Sequence, residues 1–382
     1  MSALMQTYNR FPFEIVQGEG VYLTDNFGKQ YLDFTSGIGV CNLGYNHPQL
    51  NAAVNTQLGK IWHTSNLYQS SLQEKVAEKL IGNAQKQVFF CNSGTEANEA
   101  AIKLARKFTG KSKLLSFHHS FHGRSIGALS VTGNDAIKHG FGELLADIEF
   151  APYNDDAALT QINDQFAAVI LEVIQGEGGV TAANANWLQR LAQQCRAAGV
   201  LLIIDEVQTG IGRTGKLFAY QHYAIEPDII TLAKGLANGL PSGAMIANSK
   251  IAAAFDYGAH GSTFGGNPLA MAAAATVLEL MDAALLKNVQ QKANGFYQLL
   301  EDQLSDCAAV EAISGKGLML GIRLIESVPV KNVVEKLHQQ GLLTLSARGN
   351  TLRLLPPLVI SEIQLQQGLH LIKQVLSDAV AK

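Results

Sequence analysis

The stretch Leu201-Leu202-Ile203-Ile204-Asp205-Glu206-Val207-Gln208 is an apolar run that ends in a carboxylate. A second apolar run, Ile229-Ile230-Thr231-Leu232-Ala233-Lys234-Gly235, closes with a lysine 29 residues after Asp205. Short, continuous apolar runs of this kind are typical of buried strands in a parallel sheet. Each run is therefore predicted to be a strand that delivers one charged group to its carboxyl end.

The pairing of Asp205 with Lys234 suggests a cofactor. Ligands of open α/β sheets bind at the carboxyl edge of the strands. A lysine at that edge can condense with the aldehyde of pyridoxal phosphate, and a carboxylate can keep the pyridine nitrogen protonated. From these two strands alone, it is an equally good interpretation that Asp205 caps a helix and Lys234 is a solvated loop residue.

Composition places the chain among compact globular proteins. Its 382 residues predict two or three domains, because single hydrophobic cores stop growing beyond about 250 to 300 residues. Hydrophobic residues make up 47% and charged residues 16%, so enough apolar surface is available for folding. The net charge is -3 and no basic run is present, which argues against nucleic acid as a partner.

Neither the cysteines nor the hydropathy indicate export or a membrane. The four cysteines are far apart and lack the close pairs of structural zinc sites, which fits a reducing cytoplasm. Residues 1–8 contain neither the basic nor the apolar part of a secretory signal. The longest apolar stretch, residues 269–278, is too short to span a bilayer. A cytoplasmic protein without a membrane partner is expected.

The order of predicted elements indicates an α/β fold. Residues 20–34 alternate around an Asp-Asn-Phe-Gly turn, which predicts a hairpin. Between residues 73 and 266, helical stretches alternate with short apolar strands, a pattern typical of a mostly parallel sheet covered by helices on both faces. Strands at residues 317–324 and 351–356 predict a smaller α+β unit. The predicted division is 1–45 and 290–382 for the small domain and 46–289 for the large domain.

Ser93, Gly94 and Thr95 follow one predicted strand and begin a helix. Small residues at a helix start leave backbone N–H groups free to face an anion, and the helix dipole favours negative charge there. These three residues are therefore candidates to hold a phosphate. Taken alone, the segment is better explained as an ordinary N-cap.

The loop Ser120-Phe121-His122-Gly123-Arg124 follows another predicted strand. Phe121 could stack on a pyridine ring, and Arg124 could bind a substrate carboxylate through two parallel hydrogen bonds. His118, His119 and His122 do not predict a metal site, because no HExxH spacing or nearby acid completes a ligand set.

Residues 210–215 match the GxGxxG pattern of dinucleotide sites, and Asp228 follows at a plausible distance. In such sites, however, the glycines follow the strand directly and the later acid ends the next strand. Here residues 205–209 intervene and Asp228 precedes the next strand. We interpret the match as accidental, although it leaves a nicotinamide-dependent oxidoreductase as a rival hypothesis.

Together these segments resemble a class III, fold-type I aminotransferase over nearly the whole chain. Each motif is weak alone, but their order and spacing are highly specific. The implied fold is a mostly parallel mixed sheet flanked by helices, with a smaller α+β domain built from both terminal segments. The motifs are Gly20-Val21-Tyr22-Leu23, Leu43-Gly44-Tyr45-Asn46-His47-Pro48, Asn92-Ser93-Gly94-Thr95-Glu96-Ala97, Ser120-Phe121-His122-Gly123-Arg124, Gln175-Gly176-Glu177-Gly178-Gly179-Val180, Asp205-Glu206-Val207-Gln208, Lys234-Gly235, Gly261-Ser262-Thr263-Phe264-Gly265-Gly266-Asn267-Pro268 and Leu352-Arg353.

The resemblance implies a residue set for pyridoxal phosphate. Lys234 would carry the covalent link, Asp205 would pair with the pyridinium, and Gln208 would bind the ring hydroxyl. Thr263 would reach the phosphate of a neighbouring subunit's cofactor, so a homodimer with shared sites is implied. The full implied set is Ser93, Gly94, Thr95, Phe121, His122, Asp205, Val207, Gln208, Lys234 and Thr263, with Phe121 and Val207 on opposite faces of the ring.

The resemblance also implies a reaction, which is transfer of the terminal amine of N-acetylornithine to 2-oxoglutarate in arginine biosynthesis. The products would be N-acetylglutamate 5-semialdehyde and glutamate. Arg124 would bind the α-carboxylate of the acylated ornithine, and Arg353 would bind that of glutamate. Glu177 would mask Arg353 when no carboxylate is due, and Ser262 completes the implied substrate set. Without the resemblance, Arg353 could equally be a solvated strand residue and Glu177 a loop acid.

Substrate choice is left open by these residues. Ornithine aminotransferases have a tyrosine where this chain has Ile38, which favours an acylated substrate, whereas Val173 replaces a usual proline without removing a catalytic group. Ornithine, succinylornithine and 4-aminobutyrate aminotransferases would keep every cofactor residue. A non-catalytic binding protein of the same fold is a further alternative.

Overall fold

The computed structural model describes residues 3–380. Residues 1, 2, 381 and 382, at the outer limits of the predicted domain segments, lie outside the described residues. The strands are β1 Ile15–Glu19, β2 Tyr22–Asp25, β3 Gln30–Asp33, β4 Lys86–Cys91, β5 Lys113–Phe117, β6 Ile148–Ala151, β7 Phe166–Glu172, β8 Ile174–Gln175, β9 Thr181–Ala182, β10 Leu201–Asp205, β11 Ile229–Leu232, β12 Gly243–Asn248, β13 Val310–Lys316, β14 Met319–Leu324, β15 Leu342–Leu343, β16 Leu345–Ala347 and β17 Thr351–Leu354.

The helices alternate with these strands through the middle of the chain. They are α1 Ser36–Gly39, α2 Pro48–Leu58, α3 Ser71–Ile81, α4 Gly94–Thr109, α5 Ile126–Ser130, α6 Asp156–Gln161, α7 Ala185–Ala198, α8 Ser249–Ala252, α9 Pro268–Leu280, α10 Ala283–Leu304, α11 Val330–Gln339 and α12 Glu362–Val380. Short 3-10 helices are formed by Asp135–Ile137, Ala219–His222 and Lys234–Leu236.

A seven-stranded mixed sheet, in the order β4-β12-β11-β10-β7-β5-β6, forms the centre of the fold. Strand β12 is antiparallel to both of its neighbours. The pairs β11-β10, β10-β7, β7-β5 and β5-β6 are all parallel. The predicted α/β class with a mostly parallel mixed sheet is therefore confirmed.

The central strands are apolar along their whole length because helices cover both faces of the sheet. In β7 and β10, Ala168, Ile170 and Ile203 belong to one hydrophobic cluster, together with residues of α4. Val169 and Ile204 belong to the cluster on the other face. Successive side chains of a strand point to opposite faces, so a continuous apolar run supplies two cores at once.

Two four-stranded sheets combine the terminal parts of the chain. One has the order β1-β2-β3-β15 and contains the predicted hairpin, in which Tyr22 pairs with Leu32. Its last strand, β15, pairs parallel with β3 and so joins the two terminal segments. The other sheet has the order β13-β14-β17-β16. The predicted boundary between residues 289 and 290 falls inside α10, and the domain division stays a prediction.

No single helix within residues 3–380 is both long and apolar enough to cross a bilayer. Helices α9 and α10 meet the length and composition criteria only as a pair, and this pair is bent by 69° at its break.

Two helical glycines are expected to respond oppositely to alanine. A Cβ at Gly368 in α12 would lie 2.2 Å from Cζ of the buried Phe34, whereas one at Gly295 in α10 would meet no atom within 4 Å. Gly368→Ala should destabilise the protein by roughly 1 to 3 kcal/mol through overpacking. Gly295→Ala should stabilise it by up to about 1 kcal/mol through helix propensity. Urea unfolding measures both changes, and equal effects at the two positions would contradict this packing.

Candidate active site

A cavity of about 430 Å³ lies at the carboxyl edge of the central sheet. It collects most of the residues singled out from the sequence. Its lining is Val40, Asn92, Ser93, Gly94, Thr95, Asn98, Phe121, His122, Gly123, Arg124, Glu172, Glu177, Asp205, Val207, Gln208, Ala233, Lys234, Gly239, Leu240, Pro241 and Ser242. Of the predicted site residues, Ser262, Thr263 and Arg353 do not belong to this lining.

Lys234 follows β11 and begins a short 3-10 turn with a φ of +46°. It lines the cavity and is only partly accessible to solvent. Burial lowers the pKa of its ammonium, and the charge of Arg353 lowers it further, against the opposing effect of Glu177, Asp205 and Glu172. Desolvation disfavours the charged form of an amine, so Lys234 is not the solvated loop lysine of the alternative interpretation.

Asp205 ends β10 and is 3% exposed. Its Oδ2 accepts a hydrogen bond from Nδ2 of Asn98 and lies 2.8 Å from Nδ1 of His122, while its Oδ1 accepts from the backbone N–H of Val207. Three partners fix the orientation of the carboxylate toward the cavity. The alternative that Asp205 caps a helix is wrong, because the N–H it accepts at Val207 belongs to a turn.

The start of α4 forms the opposite wall. The hydroxyl of Ser93 accepts from the backbone N–H of Glu96, so Ser93 is an N-cap, as the simpler interpretation holds. Gly94 lies against Val207, where a Cβ would come within 2.7 Å of Cγ1. The first-turn N–H groups of the 16-residue helix therefore border the cavity, and such groups favour an anion. The capped helix start and the candidate phosphate site are therefore the same segment.

Two arginines differ in their surroundings. Arg353 on β17 is 3% exposed, and its Nη1 lies 2.6 Å from Oε1 of Glu177 and 3.4 Å from Oε1 of Gln208. It is therefore not a solvated strand residue, and Glu177 is not an isolated loop acid. Arg124 is exposed, with its guanidinium carbon 5.7 Å from the ring centroid of Phe121. One cation, Arg353, is thus buried behind the cavity lining and paired with two lining residues, and the other, Arg124, lines the cavity and is exposed to solvent.

Comparisons with known proteins agree on one family. A family model described as aminotransferase class-III matches residues 4–376. The chain belongs to the class-III aminotransferases. An acetylornithine aminotransferase of Lactiplantibacillus plantarum is 57% identical over 377 residues, covering 99% of this chain and 97% of that relative.

Solved structures support the same assignment. The ornithine aminotransferase of Toxoplasma gondii matches with a TM-score of 0.93 and 31% identity, covering 99% of this chain and 92% of that one. The N-acetylornithine aminotransferase of Stenotrophomonas maltophilia matches with a TM-score of 0.84 and 33% identity, covering 98% of each chain. The Toxoplasma structure has partial occupancy of pyridoxal phosphate at its active site. The resemblance inferred from the sequence is confirmed.

Pyridoxal phosphate is the cofactor of this aminotransferase, and the cavity fits it chemically. The start of α4 offers N–H groups to a phosphate, Asp205 offers a buried carboxylate to a ring nitrogen, and Lys234 offers an amine whose pKa is lowered. Phe121 and Val207 line the space between them with apolar surface. These groups match the phosphate, the heterocycle and the aldehyde of a single molecule.

Among the unpredicted residues that line the aminotransferase cavity, Glu172 and Asn98 lie next to Asp205. Glu172 ends β7 beside Asp205, and burial raises the pKa of its carboxyl to about 7. Its two oxygens accept from the backbone N–H groups of Phe121 and Gly176, at 2.9 and 3.2 Å. The signal was available, because Glu172 closes an apolar run as Asp205 does. Asn98 is the second of these residues. It lies one turn after Gly94 on the same face of α4, and the spacing of the two residues in the sequence predicts this position.

Ser262 and Thr263 do not line the cavity of their own chain. Thr263 is exposed, and the hydroxyl of Ser262 accepts from Nδ2 of Asn92, which itself lines the cavity. Around this segment the surface is strongly apolar. Trp62, Leu67, Tyr68 and Phe264 are between 60% and 92% exposed. Because large exposed apolar patches mark interaction sites, this side of the molecule has the character of an interface.

The glycine pattern at residues 210–215 does not form a dinucleotide site. It is followed by the short 3-10 helix Ala219–His222 and not by a long helix. Asp228 precedes β11 and accepts a hydrogen bond from the backbone N–H of Leu202. The interpretation of an accidental match is confirmed by this context, which removes the structural basis for a nicotinamide-dependent enzyme. Within residues 3–380, no group of three or more His, Cys, Asp or Glu side chains is arranged to hold a metal.

Proposed function

We propose that this aminotransferase moves the terminal amine of N2-acetyl-L-ornithine to 2-oxoglutarate, giving N-acetylglutamate 5-semialdehyde and glutamate. The 57% identity to an acetylornithine aminotransferase over nearly the full length of both chains supports this substrate. The observation that carries the reaction class is the joint presence, in one cavity, of Lys234 with a lowered pKa and the buried carboxylate of Asp205. The cytoplasm and the arginine-forming route are proposed on the same basis.

Pyridoxal phosphate, when bound, supplies an aldehyde that condenses with amines and a ring that accepts electrons from the neighbouring carbon. Asp205 holds a proton at the ring nitrogen, and Asn98 and His122 keep its carboxylate oriented for that purpose. The Nζ of Lys234, once free of its covalent link, takes and returns the proton at the substrate carbon. The lowering of its pKa by burial favours the neutral amine that this role requires.

The remaining cofactor contacts follow from the lining of the cavity. Ser93, Gly94 and Thr95 would bind the phosphate at the start of α4, and Phe121 and Val207 would enclose the ring from its two faces. Gln208 would bind the ring hydroxyl, and His122 lies beside Asp205. Both His122 and Gln208 line the cavity from buried positions, with exposures of 2% and 7%, which supports these roles.

Substrate recognition uses the two arginines in turn. Arg124, exposed at the cavity edge, binds the α-carboxylate of the acylated ornithine, which leaves the distant terminal amine near Lys234. Arg353 binds the α-carboxylate of glutamate in the second half-reaction. Glu177 must release Arg353 for that step, and the ion pair between them supports such a mask. Ile38, exposed in the α1 turn, favours an acylated substrate.

We also propose a homodimer in which Ser262 and Thr263 serve the neighbouring site. The exposed position of Thr263, outside its own cavity and within an apolar patch, supports this arrangement. A second copy seated on Trp62, Leu67, Tyr68 and Phe264 would remove this surface from water. The site would then be complete only when two chains associate. The large and small domains proposed at residues 46–289 and at 1–45 with 290–382 would both contribute to it.

A donor panel with 2-oxoglutarate as acceptor tests the reaction. We expect N-acetylornithine to give a higher kcat/KM than ornithine, succinylornithine or 4-aminobutyrate. Lys234→Ala should lower kcat by at least about 100- to 10,000-fold, the usual contribution of a general acid/base, while its circular dichroism stays native. A preference for free ornithine would contradict the substrate, and near-native turnover by Lys234→Ala would contradict the mechanism.

The masking of Arg353 has its own test. Glu177→Ala should raise kcat/KM for glutamate relative to N-acetylornithine by about fivefold, because a partly exposed ion pair contributes on the order of 1 kcal/mol. Glu226→Ala, which breaks a partly exposed ion pair with Lys86 between residues that do not line the cavity, is the matched control and should leave the ratio unchanged. An unaltered ratio in Glu177→Ala would exclude the mask.

Mixed dimers test the shared site. Thr263→Ala should weaken pyridoxal phosphate binding by roughly tenfold or more, since hydrogen bonds to charged groups contribute about 1.5 to 3 kcal/mol. When Thr263→Ala chains exchange with inactive Lys234→Ala chains, one site of each hybrid regains both native residues. At limiting cofactor, the activity divided by the number of chains with an intact Lys234 should therefore rise when the two variants are mixed. If Thr263 acted within its own chain, mixing would restore nothing.

A further inference from the structure

Arg213 is the largest side chain with no exposed surface in the described part of the chain. It lies in the 210–215 segment that proved not to bind a dinucleotide. Its guanidinium donates to three neutral oxygens, the carbonyls of Leu318 and Pro356 and Oδ1 of Asn42. These oxygens belong to the two terminal segments, whereas Arg213 belongs to the middle of the chain. One cation therefore joins three distant parts of the sequence.

A buried cation of this kind is costly. Burial lowers the pKa of the Arg213 guanidinium. The charges of Asp33 and Cys41 act on that pKa in the opposite direction, but only through space. Removing a charge from water is offset only when its hydrogen bonds are well formed. A hydrophobic side chain of similar volume would fill the same space without that cost. The guanidinium is therefore best explained by what its hydrogen bonds position.

Asn42 connects Arg213 to the residue after Lys234. Its Oδ1 accepts from Arg213 at 2.6 Å and its Nδ2 donates to the carbonyl of Ile211 at 2.8 Å, which fixes both ends of the amide. The same amide lies directly against Gly235, where a Cβ would be 2.4 Å from Nδ2. Only a glycine permits this approach. Arg213 and Asn42 thus form a support that reaches the backbone beside Lys234.

Residues 234–238, the Lys234 turn, consist of the 3-10 helix Lys234–Leu236 and the two turn residues after it. The far end of this turn is held by the same N-terminal segment. Oδ1 of Asn238 accepts from the backbone N–H of Leu43 at 2.7 Å, and its Nδ2 donates to the carbonyl of Gly44 at 3.0 Å. Lys234 and Asn238 have φ values of +46° and +48°. A residue that carries a side chain is strained in this left-handed region, and the strain persists only where neighbours impose it. The turn is therefore imposed from outside.

We propose that Arg213 and Asn42 are positioning residues for Lys234. They hold the backbone at Gly235 so that the Lys234 turn is already in its strained conformation before the cofactor binds. Without them, part of the binding free energy of pyridoxal phosphate would be used to restore that conformation. This inference rests on the proposed role of Lys234 as the residue linked to the cofactor.

Arg213→Met and Asn42→Ala remove the support from its two ends. We expect each to weaken pyridoxal phosphate binding to the cofactor-free protein by about tenfold, since 1.4 kcal/mol corresponds to that factor. The increase in Tm on cofactor loading should shrink, and the pH midpoint of the bound cofactor's absorbance should move. A residue that only stabilises the fold would lower the Tm of both forms equally and leave that midpoint unchanged.

Lys292→Met is the matched control. Lys292 is also a buried cation that donates to main-chain carbonyls, those of Leu358 and Ile360. It reaches residues 42–44 only through Leu358, whose N–H donates to the backbone carbonyl of Asn42, and it has no hydrogen bond to the Asn42 side chain or to the Lys234 turn. We expect Lys292→Met to lower the Tm of the cofactor-free protein while keeping the cofactor affinity and the absorbance midpoint. If Arg213→Met fails to fold, Asn42→Ala decides the question alone.

The outcomes separate the two levels of the argument. Wild-type protein that binds no pyridoxal phosphate would overturn the proposed function itself. Wild-type protein that binds it, with Asn42→Ala equal to it in affinity and absorbance midpoint, would overturn only the positioning role. Lys292→Met shifting both quantities as much as Asn42→Ala would also overturn it, because general destabilisation would then explain the change.

Discussion

The cavity depends on the register of three neighbouring parallel strands. In that register, Asp205 of β10 pairs with Glu172 of β7 and with Thr231 of β11. Because parallel strands end at one edge, two carboxylates and a hydroxyl are set side by side by the sheet itself. Thr231 then donates to Asn98, which donates to Asp205. A slip of one residue in β10 would turn Asp205 to the opposite face.

Asp205 and Glu172 are both buried at the carboxyl edge of the sheet, but their hydrogen-bond partners differ. Asp205 receives hydrogen bonds from two side chains and a backbone N–H, whereas Glu172 receives only two backbone N–H groups and has its pKa raised to about 7 by burial. Lys234 responds to the same desolvation in the opposite sense, since burial disfavours its ammonium. Arg353 adds to this effect, so three nearby acids do not restore an ordinary lysine.

The sequence was sufficient for the fold class and for placing Asp205 and Lys234 at strand ends, because an apolar run ending in a charge is a local pattern, but a cofactor role for the two residues came from family resemblance. It was not sufficient for Arg353, which meets Gln208 across 145 positions of the chain, so its role came from family resemblance. Glu172 also closes an apolar run, but it was not included among the predicted site residues. Residues 210–215 show the converse. They match the glycine pattern of a dinucleotide site, but the elements around them are not those of such a site. No local pattern indicated that the central sheet would include the reversed strand β12.

The conformation of Lys234 is a property of the whole chain and not of the sheet that carries it. Its turn contains two left-handed residues that carry side chains, and short loops do not hold such residues unaided. The restraints come from residues 42–44 at one end of the sequence and, through Arg213, from Leu318 and Pro356 near the other. The central domain alone, proposed as residues 46–289, would therefore contain Glu172, Asp205 and Lys234. It would lack the contacts that fix the conformation of Lys234. Folding of the terminal segments onto the sheet is thus part of what makes the amine usable.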